Sequence, residues 1–120
     1  MKSIFFDEIE NTQDYAINEF KDEPLLIVSK AQTAGRGTNK NKWENADQSL
    51  AASLAFNKEI VNFKKTLVPL LAGYSFVSLH QIEDLKLKWP NDITLNEDKV
   101  GGVLVAVSYT HLRAHETVTY

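Results

Sequence analysis

The chain has 120 residues, 43% of them hydrophobic, with 13 basic and 16 acidic side chains for a formal net charge of -3. This suffices for one domain with one core, and the slightly acidic balance excludes a broad electropositive footprint for wrapping nucleic acid. The lack of cysteine excludes disulfides, thiolate metal sites and a cysteine nucleophile, while the early acidic turn at Asp7, without a long apolar run, argues against a signal peptide or membrane anchor; the expected location is cytoplasmic.

Residues 3–9 carry three adjacent β-favouring side chains, Ile4-Phe5-Phe6, and are expected to form a strand. A helix should follow from Asn11 or Thr12, with Asn11 as its cap, Asp14 at the third helical position and Ala16, Ile17 and Phe20 as its buried stripe. Pro24 closes that unit, and residues 25–28 read as an interior strand. From Gln32 to Gln48 the composition is that of a long polar loop with one large apolar residue, Trp43. Residues 49–56 alternate, with Leu50, Ala52, Leu54 and Phe56 on one side and Ala51, Ser53 and Ala55 on the other, so a strand covered closely on its second face is expected. Leu67, Leu70, Leu71, Tyr74 and Val77 recur at helical spacing, with Pro69 tolerable only in the first turn. Leu85, Leu87 and Trp89 alternate with Lys86 and Lys88, which predicts a strand with the apolar set, Trp89 included, facing the core. Asn96-Glu97-Asp98 then turns the chain into a strand over residues 100–107. The expected order is β-α-β-loop-β-α-β-β.

Residues 108–120 abandon alternation and hold two of the three histidines. They resemble translated adapter sequence at the end of a gene fragment, and are read as a tail foreign to a domain spanning 1–107; an ordinary polar tail explains them as well.

Three groups of residues bear on chemistry. Glycines in Gly35-Arg36-Gly37 can turn main-chain amides toward an anion while the guanidinium adds a forked contact, although a surface turn uses the same residues. Lys86 and Lys88 share the face opposite Leu87, either solvated or aimed into a cleft, and Asn91 and Asp92 set an amide and a carboxylate beyond Pro90 for a nucleotide or a cation, or for a simple turn. Gly101-Gly102 opens an apolar strand, which implies close approach of a ligand or a β-bulge. His80 and the tail histidines lack partners at metal-ligand spacing, and neither a Walker loop nor a Gly-x-Gly-x-x-Gly after a strand is present.

Taken in order, these elements resemble the catalytic domain of biotin protein ligases. Asn11-Thr12-Gln13 is similar to the family's Ser-Thr-Asn helix start, Gln32 to Gly37 to its Gln-x-x-Gly-Arg-Gly loop with a tryptophan following at Trp43, Lys88 to Asp92 to its Lys-Trp-Pro-Asn-Asp signature, and Lys99 to Leu104 to its Lys-x-x-Gly-hydrophobic-Leu element. The resemblance implies an α/β domain on a mixed β-sheet flanked by helices, related to class II aminoacyl-tRNA synthetases and lipoate ligases. It implies ATP, biotin and Mg2+, and as partner the biotin carboxyl carrier protein of acetyl-CoA carboxylase or another biotin-dependent carboxylase, with no nucleic acid, no membrane and, as in other members, pairing of two copies. The reaction implied is activation of biotin to biotinyl-5'-AMP and transfer to a carrier lysine. Transfer of lipoate or octanoate, or biotin binding without catalysis, are the alternatives.

Carried over position by position, Lys88 and Arg36 are the catalytic residues. Thr12, Gln13, Gln32, Gly35, Lys88, Gly101 and Gly102 bind biotin; Arg36, Gly37, Thr38, Trp43, Asn91 and Asp92 bind the nucleotide, and Asp92 is the candidate magnesium ligand. Two positions depart from the pattern, Thr38 standing where a second arginine is common and Gln13 where asparagine is. The family normally continues through further strands, a helix and a small C-terminal domain, and no helix-turn-helix precedes Phe5, so a repressor role is not expected.

Overall fold

The Ile4-Phe5-Phe6 run forms the centre of β1 (Lys2–Ile9), which hands over at Asn11 to α1 (Thr12–Glu19) and returns through β2 (Leu25–Gln32), parallel to β1. The computed structural model describes residues 1–37, 42, 48–57, 59, 67–108 and 117–119. β3 (Ala51–Ala55) pairs antiparallel to β2, giving a mixed three-stranded sheet of order β1-β2-β3. Contacts divide the chain into two compact units, Met1–Val61 and Asn62–Tyr120.

In the first unit, α1 packs on one face of the sheet. Its core is Ala16, Leu25 and Ile27, flanked by Ile4, Phe6, Tyr15 and Ala55, with Phe6 and Tyr15 edge to face at 5.1 Å. Removing a side chain such as Ile27 from water contributes about 1.5–3 kcal/mol. The small residues Ala51, Ser53 and Ala55 lie on the helix side of β3, half-buried, while Leu50 and Leu54 on the other side are 70% and 53% exposed. The alternation and the close covering of the second, small-residue face are therefore as expected, because only small side chains leave room for α1 against the strand.

β2 is twice the expected length and takes Gln32 out of the loop. Parallel pairing to β1 runs on to Ile9–Gln32, so non-local hydrogen bonds carry the polar Ser29 to Gln32 segment as strand, against its loop-like composition.

In the second unit, α2 (Val68–His80) has Pro69 in its first turn and Gly73 against β4 (Leu85–Lys88); a Cβ at Gly73 would lie 2.6 Å from Leu87 Cδ1. β4 stops at Lys88. Trp89, outside the ladder in the following turn, is 70% exposed instead of facing a core. The chain then returns at once as β5 (Asp92–Leu95), a strand that four residues between two turns did not announce, and pairs antiparallel on both sides, with β4 and with β6 (Asp98–Gly102). Asn96 and Glu97 form a two-residue turn with φ of 50° and 73°, the backbone twist that suits a tight hairpin.

The strand expected over 100–107 is divided. β6 ends at Gly102, and β7 (Ala106–Ser108) pairs antiparallel with β8 (Thr117–Thr119) in a separate two-stranded sheet. Val103 accounts for part of the break, since its N–H donates to Asn91 O at 3.0 Å, and Asn91 Nδ2 donates back to Val103 O at 3.1 Å.

Candidate functional site

One group of candidate residues, in the first unit, is built at the N-terminus of α1. Asn11 caps the helix with Oδ1, accepting from the amides of Gln13 at 2.9 Å and Asp14 at 3.0 Å, and its Nδ2 donates to Ala34 O at 2.9 Å. The Thr33 and Ala34 amides donate to Ile9 O and Glu10 O, so the strand-like pairing of β1 with β2 continues into the glycine-arginine loop. The start of that loop is thus stitched to the helix start. Gly35 is buried, Gly37 is half-buried, and no described glycine adopts a positive φ.

Thr12, 3% exposed, is the hub of a polar cluster. Its amide donates to Gln32 Oε1 at 2.8 Å and its hydroxyl to the same oxygen at 3.1 Å, while the Oγ1 of Thr12 and the Oγ of Ser53 are 2.8 Å apart. A backbone N–H can only donate, which sets the Gln32 amide with its oxygen toward the helix. Thr12 has one hydroxyl proton and directs it to Gln32, so Ser53 is the donor to Thr12. Ser53 has no counterpart in the expected site. Its signal in the sequence was a lone hydroxyl among alanines on the inner side of its strand. Gln13, half-buried, takes its place in the cap through its amide.

Arg36 projects from the loop to Asp14 on α1. Nη1 donates to Oδ2 at 2.9 Å and Nη2 to Oδ1 at 2.6 Å. This hydrogen-bonded carboxylate raises the guanidinium pKa further above its ordinary value, against partial burial, which lowers it. Thr38 and Trp43 lie outside the described residues.

A second group of candidate residues lies in the other unit, on the β4-β5-β6 sheet. Lys88 pairs with Asp92, and Asp92 with Gly102, while Lys86 pairs with Thr94 and Thr94 with Lys99, so all six share one face. Three lysines thus share that face with one carboxylate. Lys86 and Lys88 are exposed, and Lys99 Nζ lies 3.0 Å from Asp92 Oδ1. The opposite face carries Leu85, Leu87 and Ile93 toward α2, which is why the lysine row is left outward.

The diglycine sits beside a β-bulge. Ile93 pairs with Gly101 but Thr94 with Lys99, leaving Val100 as the extra residue, and a Cβ at Gly101 would make only ordinary contact with Ile93, at 3.7 Å. Of the two explanations open in the sequence, the bulge is the one the geometry displays. Asn91, expected at the nucleotide, ties Val103 to the base of the hairpin. Among the described residues no group of three or more His, Cys, Asp or Glu could hold a metal, and His80 packs on Phe76 with Nδ1 2.7 Å from the Phe76 carbonyl oxygen.

Residues 5–119 match the biotin/lipoate A/B protein ligase family. The chain belongs to this family. It is 32% identical over 115 residues to biotin-protein ligase 2 of Arabidopsis thaliana, covering 84% of this chain and 34% of that protein. It is 31% identical over 120 residues to the bifunctional ligase/repressor BirA of Bacillus subtilis, covering 94% of this chain and 35% of the relative. Among solved structures, the biotin acetyl coenzyme A carboxylase synthetase of Helicobacter pylori with bound biotinylated ATP superposes with a TM-score of 0.77 at 32% identity, covering 90% of this chain and 55% of that one. The biotin protein ligase of Aquifex aeolicus in complex with biotin and ATP gives 0.77 at 26% identity, covering 98% and 49%. The mixed α/β fold of the family is therefore present, in a chain that spans about a third of the length of these curated relatives.

Proposed function

We propose that this chain provides part of the catalytic domain of an enzyme that activates biotin with ATP and transfers it to a lysine of a biotin carboxyl carrier domain. The observation that carries the reading is the Thr12–Gln32–Ser53 cluster beside Gly35 and Arg36. A biotin ureido ring presents two N–H donors and one carbonyl acceptor, and a row of buried and half-buried hydroxyls with a carboxamide is the environment in which such groups keep their hydrogen bonds on leaving water. An apolar lipoyl or octanoyl chain has no donors or acceptors to match such a row, which disfavours the alternative acids.

In the first step a biotin carboxylate oxygen attacks the α-phosphorus of ATP; the bond to the β-phosphate oxygen breaks, and pyrophosphate leaves. Two anions must approach. Arg36 and Lys88 are the cations proposed to neutralise them, Lys88 from the lysine-bearing face of β4 and Arg36 from its loop. In the second step the carrier's neutral amine attacks the acyl carbon, AMP leaves, and the new amide loses a proton. Gln13, Gly35, Gly101 and Gly102 are proposed to border biotin, and Gly37, Thr38, Trp43, Asn91 and Asp92 the nucleotide.

The described residues do not fit a protein-built magnesium cage, since Asp92 is already ion-paired with Lys99 and no cluster of three acidic or imidazole ligands accompanies it. Magnesium is therefore proposed as the counter-ion of the ATP phosphates, with Asp92 the carboxylate of this face nearest to such a role. A cytoplasmic site of action and pairing of two copies are part of the same proposal.

The test is biotin-dependent exchange of pyrophosphate into ATP by the full-length gene product, with lipoate and octanoate as competing acids. Exchange with biotin alone is expected. Exchange supported by lipoate or octanoate instead, or biotin binding with no exchange, would replace the reading with one of its alternatives.

A further inference from the structure

Asp14 stands at the third position of α1, held there by the Asn11 cap that also holds the loop through Ala34 O. Backbone and side chain of the Arg36 segment are thus tied to one helical turn. The tie between Arg36 and Asp14 is bidentate, each terminal nitrogen of the guanidinium facing one carboxylate oxygen. We propose that Asp14 is a positioning residue for the adenylation step, holding Arg36 by its two Nη atoms so that the Nε edge is presented to a phosphoryl oxygen; the proposal rests on the functional reading above.

Donor geometry supports the division of labour. Arginine has five N–H donors in a planar fork, and an end-on carboxylate takes one from each Nη, leaving Nε–H and its neighbouring Nη–H for the oxygens of a phosphoryl group. The pair's exposure supports it too. With the side chains 38% and 49% exposed, water screens the attraction, and a pair of this kind contributes little to folding. What it does is remove rotamer freedom from Arg36 before a ligand arrives, and pre-set charges favour a transition state without reorganisation. Asp14 does not touch the reacting atoms in this scheme. Asp14 offsets part of the charge of the arginine it holds, and what it contributes in return is a fixed direction for the remaining donors.

The experiment is a double-mutant cycle in the full-length protein, reading single-turnover formation of biotinyl-adenylate together with the melting temperature. Asp14→Asn is expected to slow adenylate formation about tenfold with the melting temperature unchanged, and Asp14→Glu to recover part of the rate. In the Arg36→Ala background, Asp14→Asn should cause no further loss. A wild-type rate in Asp14→Asn, or a loss that adds in full to that of Arg36→Ala, would overturn the proposal while leaving the arginine in the reaction. Arg36→Ala without effect would remove the arginine and the proposal together, and so identifies failure of the underlying reading.

Discussion

Thr12 shows how one side chain can hold two others in a defined protonation pattern. Its hydroxyl proton goes to Gln32 and its oxygen receives Ser53, so the near-isosteric change Thr12→Val removes both bonds while keeping the packing. The expected cost is about 1–3 kcal/mol of stability, read from the denaturant midpoint, together with weaker biotin binding. A stability change under about 0.5 kcal/mol would show that the cluster is not closed in this way. Lys88 presents the opposite case. It is exposed on the face of β4 opposite Leu87, so Lys88→Ala should leave stability within about 0.5 kcal/mol of the parent. Adenylate formation in the full-length protein should nevertheless fall by about 100-fold in single turnover, the scale of losing one pre-set charge or donor. An unchanged rate would take Lys88 out of the chemistry.

The helix α1 and the loop after β2 are joined through Asn11, and this coupling makes a separate forecast. Asn11→Ala removes the helix cap, costing about 1 kcal/mol, and also the bond to Ala34 O. Trypsin should then cut after Arg36 faster than in the parent, and faster than the loss of global stability accounts for; cleavage in step with stability would show that the cap does not hold the loop. The β5-β6 hairpin carries a different local cost. Glu97 sits at φ 73°, where a residue with a Cβ is disfavoured, so Glu97→Gly should stabilise the chain by up to about 1 kcal/mol in thermal or urea unfolding. Destabilisation would mean that the gain in unfolded-chain entropy outweighs the relief at the turn.

The described surface carries more large apolar side chains than a few scattered positions. Phe5 and Leu54 are exposed on strands of the first unit and Leu50 just before β3, and Leu71, Tyr74 and Leu79 on α2 of the second. Relatives in the family are about three times as long, the chain covering 34% and 35% of two of them. Prepared as these 120 residues, the protein is expected to bind the dye ANS and to self-associate as concentration rises, measured by fluorescence and light scattering. A full-length gene product should bind less dye per chain. Equal dye binding by both forms would show that these side chains remain exposed in the longer protein.

Local chemistry made the helix start at Asn11, the presence of α2 though not its buried face at Pro69 and Gly73, the lysine alternation and the ordered family motifs readable in the amino acids alone. Each depends on residues within a few positions of one another, where capping, pleat and helical repeat act directly. The extent of β2, the existence of β5 and the exposure of Trp89 were not readable in that way. Strand length is set by what pairs alongside: β2 runs to Gln32 because Ile9 continues to meet it, and β5 exists because β4 and β6 lie on either side. The same holds for the candidate site. Ser53 meets Thr12 across 41 positions and Arg36 meets Asp14 across 22, distances in sequence over which no periodicity reaches. Motif order identified which residues mattered, but only the folded backbone decided which hydroxyl, amide and carboxylate each would touch, because those contacts are made by strand register and helix packing.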